Sequence, residues 1–578
     1  MAVEVYQDSL ATEIVAVESV SLDPSSSESL RCYPHLALRS TQEVREITFD
    51  TLVLENEFLR TVFVPALGGR ILSIVHKGSG LEVLRPPRRL TPEPGGRRGV
   101  HLPVGIECRV GDAPESMARV SALMEEAEDE SAAGAIWIAS STGPLSYHIR
   151  YELEPESATI SAEARVFNRS WRPQPYAFSI LVHGFEQASS WLAWSGSEGV
   201  AVSPEEPLWQ IDDQRGLTLE RAAGAQLMPH QIDSFRFEIC PFVGVPQPLH
   251  AGVAGVLSLD GGRLRLCAFK RSAAAKVLLL CNGETLEAAV DLDPAGPLDL
   301  DLGGRQPSSV VVLTADRQET LRWEAHGPSI GNDLGRPTPD SVPESYLRAV
   351  SLHEEGKDAA QELAQHPLHL GTRSATLALQ GVHFLRSGLP EAAAQAFEDA
   401  LLYNAEDHLA WWMRAVSVRL AAGVGEERPE LLNAHYLAPL EPALRAEGFL
   451  AQGAASSEPS PLVEPLRDQP ENFIVVACLL LEMGQIPDAM RWLDEALRHE
   501  DLLMLRYLLA YTYLQTGRME IEAADQMSRA ALMPLAPPFP WRPVEAEALR
   551  ALSARYPSDE RLALLSRLAR DSVEKGRG

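Results

Sequence analysis

From about residue 35 to residue 325, apolar side chains return at every second position. In "TISAEARVF", Ile160, Ala162, Ala164 and Val166 share one face, while Thr159, Ser161, Glu163 and Arg165 take the other. That alternation predicts a strand half-buried in an antiparallel sheet. "LSYHIRYELE" lies just upstream and pairs with it across the turn Pro155-Glu156-Ser157. Two more hairpins are predicted, "LSLDGGRLRLCAF" turning at Gly261-Gly262 and "VLLLCNGETLEAAV" turning at Asn282-Gly283. Asn-Gly supplies the positive φ angles that a two-residue hairpin loop demands. Short strands at regular spacing, with few helical windows, predict a large β-sandwich. Within it, "VFVPALGGRILSIVHKGSG" (62–80) holds two apolar arms around Gly68-Gly69-Arg70. Paired glycines there predict a sharp crossing closed to other residues.

"AHGPSIGNDLGRPTPDSVPES" (325–345) breaks the pattern with Pro328, Gly331, Gly335, Pro337, Pro339 and Pro343, and reads as a linker. Beyond it the apolar period lengthens to about 3.6 residues, that of a helix. A unit of 34 residues starting at Ser374 places Gly381, Phe384, Gly388, Ala393, Phe397 and Ala400 on the small and large positions of a tetratricopeptide repeat. Further units start at His408, Pro470 and near Leu503, at spacings of 34, 62 and 33 residues. The longest interval has room for a degenerate unit around "LLNAHYLAPLEPALRAEGFLAQ". Small residues in such repeats let paired helices approach, and bulky ones fill the gap to the next pair. In this register the inner surface carries Ala375, Ala378, Val382, Leu385, Glu471, Ile474, Cys478, Leu481, Met504, Tyr507, Tyr511 and Leu514. So apolar a groove is a liability if bare, which implies a permanent cover: the chain's own β part or a second subunit.

Charge narrows the function. The chain has 578 residues and a formal net charge of −29, which argues against nucleic acid and anionic membranes as partners, since both need clustered Lys and Arg. Its six cysteines form no C-x-x-C, and no histidine pair stands at zinc-finger spacing, so neither a metal nor a cofactor is expected. The N-terminal stretch has no basic region followed by an apolar core, and no run of 18 apolar residues occurs; the expected location is the cytoplasm.

The arm "LENEFLRTVFVPALGGRILSIVHKGSGLEVL" resembles the opening of galactose-mutarotase-like β-sandwiches. The chain as a whole resembles a bacterial family of unknown function in which such a sandwich is fused to tetratricopeptide repeats. "HLPVGIECRVG", "EARVFNRSWRPQPYAF" and "APPFPWRPVEAEALRAL" carry that likeness. The resemblance implies a galactose-mutarotase-like β-supersandwich followed by an α-solenoid of tetratricopeptide-like repeats, and carbohydrate binding or processing. Mutarotases use a late glutamate as base and histidines as acids. No late glutamate has a clear counterpart here, although Glu238 in "SFRFEICPFVG" sits in a strand. The region after it is more similar to the accessory sandwich of a glycosidase.

Candidate chemistry concentrates in the β part. Arg70, between glycines and a strand, can present a fork of donors to hydroxyls; the rival reading is a structural ion pair. Glu107, amid apolar neighbours, and His183, at a strand end, form the candidate proton-transfer pair. The rival readings are an edge carboxylate facing water and a packed histidine. His101, Glu186 and Trp209 complete the candidate site, the tryptophan as a stacking platform or else a core residue.

The expected organisation is an N-terminal extension (1–34), a mutarotase-like β-sandwich domain (35–325), a linker (326–345) and a tetratricopeptide-like helical repeat domain (346–578). Two functions compete. One is a sugar-recognising protein, an epimerase-like or glycoside-processing enzyme if it is catalytic. The other is a non-catalytic scaffold or glycan-binding module whose repeats hold a protein partner or a second copy of the chain.

Overall fold

The computed structural model describes residues 2–19, 38–94, 100–110, 119–127, 129, 131–140, 143–189, 191–204, 209–212, 217–325, 342–365, 370–423, 429–452, 459–535 and 538–576. The side chains of 209–212 and 222–224 lie outside this description. So does nearly all of the 326–345 linker. The chain is β-rich from Glu4 to Glu324 and helical from Glu344 to Gly576, with thirteen α-helices among the described residues.

Two large sheets face each other. The ten-stranded sheet runs, in spatial order, through Trp209–Asp212, Leu217–Leu227, Gln174–Val182, Ile106–Val110, Arg70–His76, Leu59–Val64, Leu38–Glu55, Glu4–Ser19 and Arg89–Leu90, with Leu81–Leu84 beside Arg70–His76. The eight-stranded sheet runs through Ser121–Glu125, Gly134–Ser140, Leu145–Leu153, Ile160–Asn168, Ile232–Phe242, Glu198–Pro204, Leu192–Ser195 and Gln187–Ser189. Their facing surfaces share one core, with Ile71, Ile74, Ile106, Phe178 and Ile180 from the first sheet and Ile138, Ile149, Ile160, Ala162, Ala164, Val166 and Phe237 from the second. The alternation in "TISAEARVF" therefore points where the pattern placed it, and Leu145–Leu153 is its antiparallel neighbour. Residues 4–19, read from sequence as part of an extension, form a long strand registered against Leu38–Glu55 inside the sheet.

The glycines at 68 and 69 take φ of 75° and 71°, ending the short turn Pro65–Leu67. A Cβ on Gly69 would run into a methyl of Ile138 on the opposite sheet. Close sheet-to-sheet approach thus requires glycine, beyond the needs of the turn itself. Asn282 and Gly283 have φ of 51° and 86° at the hairpin tip, as the Asn-Gly pair requires.

Residues 250–324 build a second, smaller sandwich of two four-stranded sheets around Leu257, Leu266, Val277, Leu279, Val310 and Val312. The sequence reading of one sandwich over 35–325 merges two separate cores.

In the helical part, consecutive helices pack in sequence, as in Arg373–Arg386 against Pro390–Leu401. A Cβ on Gly381 would collide with the Phe397 ring, so the small and large positions of that unit interlock directly. The interval assigned to a degenerate unit contains the helices Pro429–Leu437 and Pro442–Ala451.

Part of the apolar inner surface is covered by the chain itself. Phe167 and Trp171, from the β part, belong to the same core as Ala378, Val382, Cys478 and Tyr507. The loop carrying Trp171 is shaped by Asn168. Its amide donates to the carbonyls of Arg172 (2.7 Å) and Leu227 (2.8 Å), and its Oδ1 accepts from Ser170 N (3.0 Å) and Oγ (2.7 Å). Arg172 then forks onto Glu354 with two contacts of 2.8 Å, and the Tyr346 hydroxyl donates to the Trp171 carbonyl at 3.0 Å. Trp171→Ala should lower unfolding stability by about 3–5 kcal/mol, as for other large-to-small changes at packed aromatics. Denaturant titration checks this, and separation of one transition into two would show the halves uncoupled.

Candidate functional site

Of the six residues singled out from sequence, Arg70, Glu107 and His183 stand on the outward side of the ten-stranded sheet, and His101, on the short strand Val100–His101 paired with Glu93–Pro94, acts on His183 electrostatically. Alternation sends Ile106 and Cys108 toward the core and Glu107 and Arg109 away from it. The neighbouring strand sets Leu181 opposite Glu107 and Ser179 opposite Arg109, so one more step brings His183 beside the pair. Gly105 fixes this arrangement. At φ of 70° it lets its strand lie against the carbonyl of Ile71, where any Cβ would clash, and its own carbonyl accepts from the His183 amide at 2.9 Å.

Arg70 lies beneath this cluster and corrects the expectation that it anchors a substrate. Its side chain is fully buried. Nε donates to the carbonyl of Leu67 (2.8 Å), one terminal nitrogen donates to those of Leu102 (2.6 Å) and Val104 (2.8 Å), and the other stands 3.2 Å from Glu107 Oε2. With these engagements it is a strut: it ties segment 102–104 to the sheet and orients Glu107. The structural ion pair, the rival reading, is what forms. Glu107 is 5% exposed, so the edge carboxylate facing water is excluded.

His183 is half-buried, and burial pushes its pKa down to about 4; Glu107 opposes the shift, while Arg70, His101 and Arg109 add to it. The imidazole is therefore neutral at physiological pH, and its Nε2 is buried without a hydrogen-bond partner among the described residues. The same electrostatic neighbourhood brings His101 to the cluster. Glu186 does not join it: its side chain is exposed, and its backbone amide donates to Ser195 Oγ at 2.9 Å. The Trp209 side chain lies outside the described residues. Glu238 belongs to the other sheet, opposite Ser161, and lines a cavity of about 300 Å³ at the seam with the smaller sandwich. Arg109 escaped the sequence reading, although its place two residues after Glu107 was the signal for it. Chemically, this face offers a neutral imidazole able to accept a proton, a carboxylate fixed by an arginine, and a second guanidinium.

A second site was not legible in the sequence. Between the β part and the helices lies a cleft of about 170 Å³ lined by Trp171, Arg172, Glu482, Tyr511, Trp541 and Arg542, among others. Arg542 stacks over Trp541 at 4.4 Å, and the Tyr511 hydroxyl donates to Glu547 at 3.1 Å. Burial raises Glu482 to about 7, with Glu354 adding to the rise and Arg542, Arg169 and a hydrogen bond from Trp171 opposing it. "FNRSW" and "PFPWRP", quoted above for a resemblance, meet at this cleft although more than 350 residues separate them.

Residues 28–188 match the family model described as "Domain of unknown function (DUF5107)". No curated protein matches the chain. Among solved structures, the chain is similar to a TPR-domain containing protein from Parabacteroides distasonis, at 13% identity over 96% of each chain with a TM-score of 0.29. It is also similar to a galactose mutarotase-like protein from Clostridium acetobutylicum, at 7% identity over 34% of this chain and 96% of that one, TM-score 0.25. A putative aldose 1-epimerase from Klebsiella pneumoniae gives 11% identity over 41% and 91%, TM-score 0.23.

Two measurements follow from the geometry. Glu107→Leu strands the Arg70 charge in the interior and should lower stability by about 3–5 kcal/mol; the double change with Arg70→Met should restore part of it. Glu482 holds a proton in the folded chain that the unfolded chain releases between its ordinary carboxylate value and about 7. Stability therefore falls as pH rises through that window, and Glu482→Gln should flatten the fall when melting is followed from pH 4.5 to 8.

Proposed function

We propose that this chain recognises a carbohydrate on the outward face of its ten-stranded sheet, the β part being a mutarotase-like supersandwich and the helices a tetratricopeptide-like solenoid that braces it. The observation carrying this reading is the convergence of Glu107, Arg109 and His183 on one sheet face, with His101 acting on His183 from the neighbouring two-stranded pairing. A hydroxyl-rich ligand needs such rigid, mixed hydrogen-bonding groups, because each unmatched hydroxyl loses its bonds to water. Where chemistry follows binding, His183 is the base: it is neutral and has an unpartnered nitrogen, while Glu107 is committed to Arg70 and positions the substrate. As His183 takes the proton of the anomeric hydroxyl, the C1 carbonyl forms, the bond from C1 to the ring oxygen breaks, and that oxygen takes a proton from solvent.

The interdomain cleft is a second location for the same ligand class. Three aromatic rings and a carboxyl protonated near neutrality favour it. The reading as a free adaptor loses support, since Trp171 and its loop fill part of the inner apolar surface a partner peptide would need.

Thermal-shift titration with mono- and oligosaccharides should find at least one stabilising sugar. Arg109→Ala should abolish the shift if the sheet face binds it, and Trp541→Ala if the cleft does. For any sugar bound, His183→Gln should keep the shift but slow anomer exchange, followed by NMR, roughly 100-fold or more. No stabilisation by any sugar at millimolar concentration would overturn the reading.

A further inference from the structure

His148, His408 and Glu441 come from far apart in the chain and meet at the seam between the two halves. Their candidate ligand atoms all lie within 4.8 Å of one another, and all three side chains are buried. Three atoms so spaced all lie within about 2.8 Å of some common point, so shifts of under 1 Å reach the ~2.0–2.2 Å of zinc–nitrogen and zinc–oxygen bonds.

Each ligand is held by regular structure. His148 lies on the strand Leu145–Leu153, where Tyr147, Ile149 and Tyr151 turn into the sandwich core, so His148 faces the helices. His408 is the first residue of the helix His408–Ala422, whose start Asp407 caps by accepting from the Ala410 amide. Glu441 caps the helix Pro442–Ala451.

The second observation is an unmet requirement. His148 is 2% exposed, and neither of its ring nitrogens has a hydrogen-bond partner among the described residues. A buried imidazole left so is destabilising. The His408 ring stands edge-on to it, with centroids 5.7 Å apart at 70°. Glu441 divides its oxygens between two tasks. Oε1 stands 3.1 Å from Arg169, while Oε2 turns to His408 Nε2 at 3.3 Å. One oxygen is thus oriented by an arginine and the other is directed at the histidines, the kind of outer support that metal-bound carboxylates receive.

We propose that His148, His408 and Glu441 bind a divalent transition-metal ion of the zinc class, which fastens the β part to the helices. Two imidazoles and a carboxylate suit borderline cations such as zinc and disfavour calcium and magnesium, which take oxygen ligands almost alone. Three protein ligands leave the fourth position to water. The sequence expectation of no metal rested on local spacing, and ligands at 148, 408 and 441 escape any such test.

The full-length chain is stripped with chelator, reloaded with Zn²⁺ and dialysed. Metal content, visible absorption after Co²⁺ substitution and melting temperature are then measured on wild type and His148→Phe. The expected result is one equivalent of zinc, a Co²⁺ spectrum of a four-coordinate site and a melting temperature that falls by several degrees on chelation. His148→Phe keeps the ring volume, removes the unmet nitrogens, and should weaken zinc binding by roughly 100-fold or more while losing the chelator effect. A trio that is only packed and hydrogen-bonded predicts the reverse: wild type without stoichiometric zinc, melting indifferent to chelator, and His148→Phe as stable or more so. That outcome overturns the proposal, as does equal zinc binding by wild type and variant.

Discussion

Trp171 is where the two halves become one object. Its ring stacks on His230 at 4.3 Å, its carbonyl accepts from Tyr346, and its side chain belongs to the helical core. His230 in turn reaches Asp407 at 2.8 Å, the residue that caps a helix with its other oxygen. Around these contacts stand ion pairs whose charges are mostly removed from water, Arg172 with Glu354 and Arg169 with Glu441. Buried pairs of this kind contribute little net stability compared with apolar replacements, but breaking one partner is costly. They fix one docking geometry and penalise others. The cleft and the His148 cluster both depend on that geometry.

Much of the fold was written in periodicity. The alternation through Ile160, Ala162, Ala164 and Val166 gave a strand and its inward face, since a period of two admits one assignment once a face is buried. Gly381 and Phe397 marked a helix pair because a missing Cβ and a large ring are complementary across a short sequence gap. Arg70 shows where such reading stops. Its chemistry suits both a ligand fork and a buried strut, and only the positions of the Leu67, Leu102 and Val104 carbonyls decide between them. The division of the β region into two sandwiches was likewise hidden, because hairpins on both sides of the boundary carry the same alternation. The cleft, which joins residues from many separate stretches, left no trace of its assembly in any one of them.

The two polar sites differ in their electrostatics. On the sheet face, burial and neighbouring cations keep His183 neutral beside a carboxylate–arginine pair. In the cleft, burial and Glu354 favour a protonated Glu482, which nearby arginines only partly offset. Opposite shifts of a base and an acid arise from one cause, the withdrawal of water, which disfavours whichever form bears charge.

The order of the halves along the chain has a consequence for biosynthesis. The β part leaves the ribosome first and can close both its cores before any helix exists. Until then the Asn168-shaped loop holds its indole in solvent, a greasy spike awaiting its socket. The helices emerge beside a finished template and can wind onto it one pair at a time. A pause in translation near residue 340 would prolong the interval in which nascent chains could stick to each other through that spike.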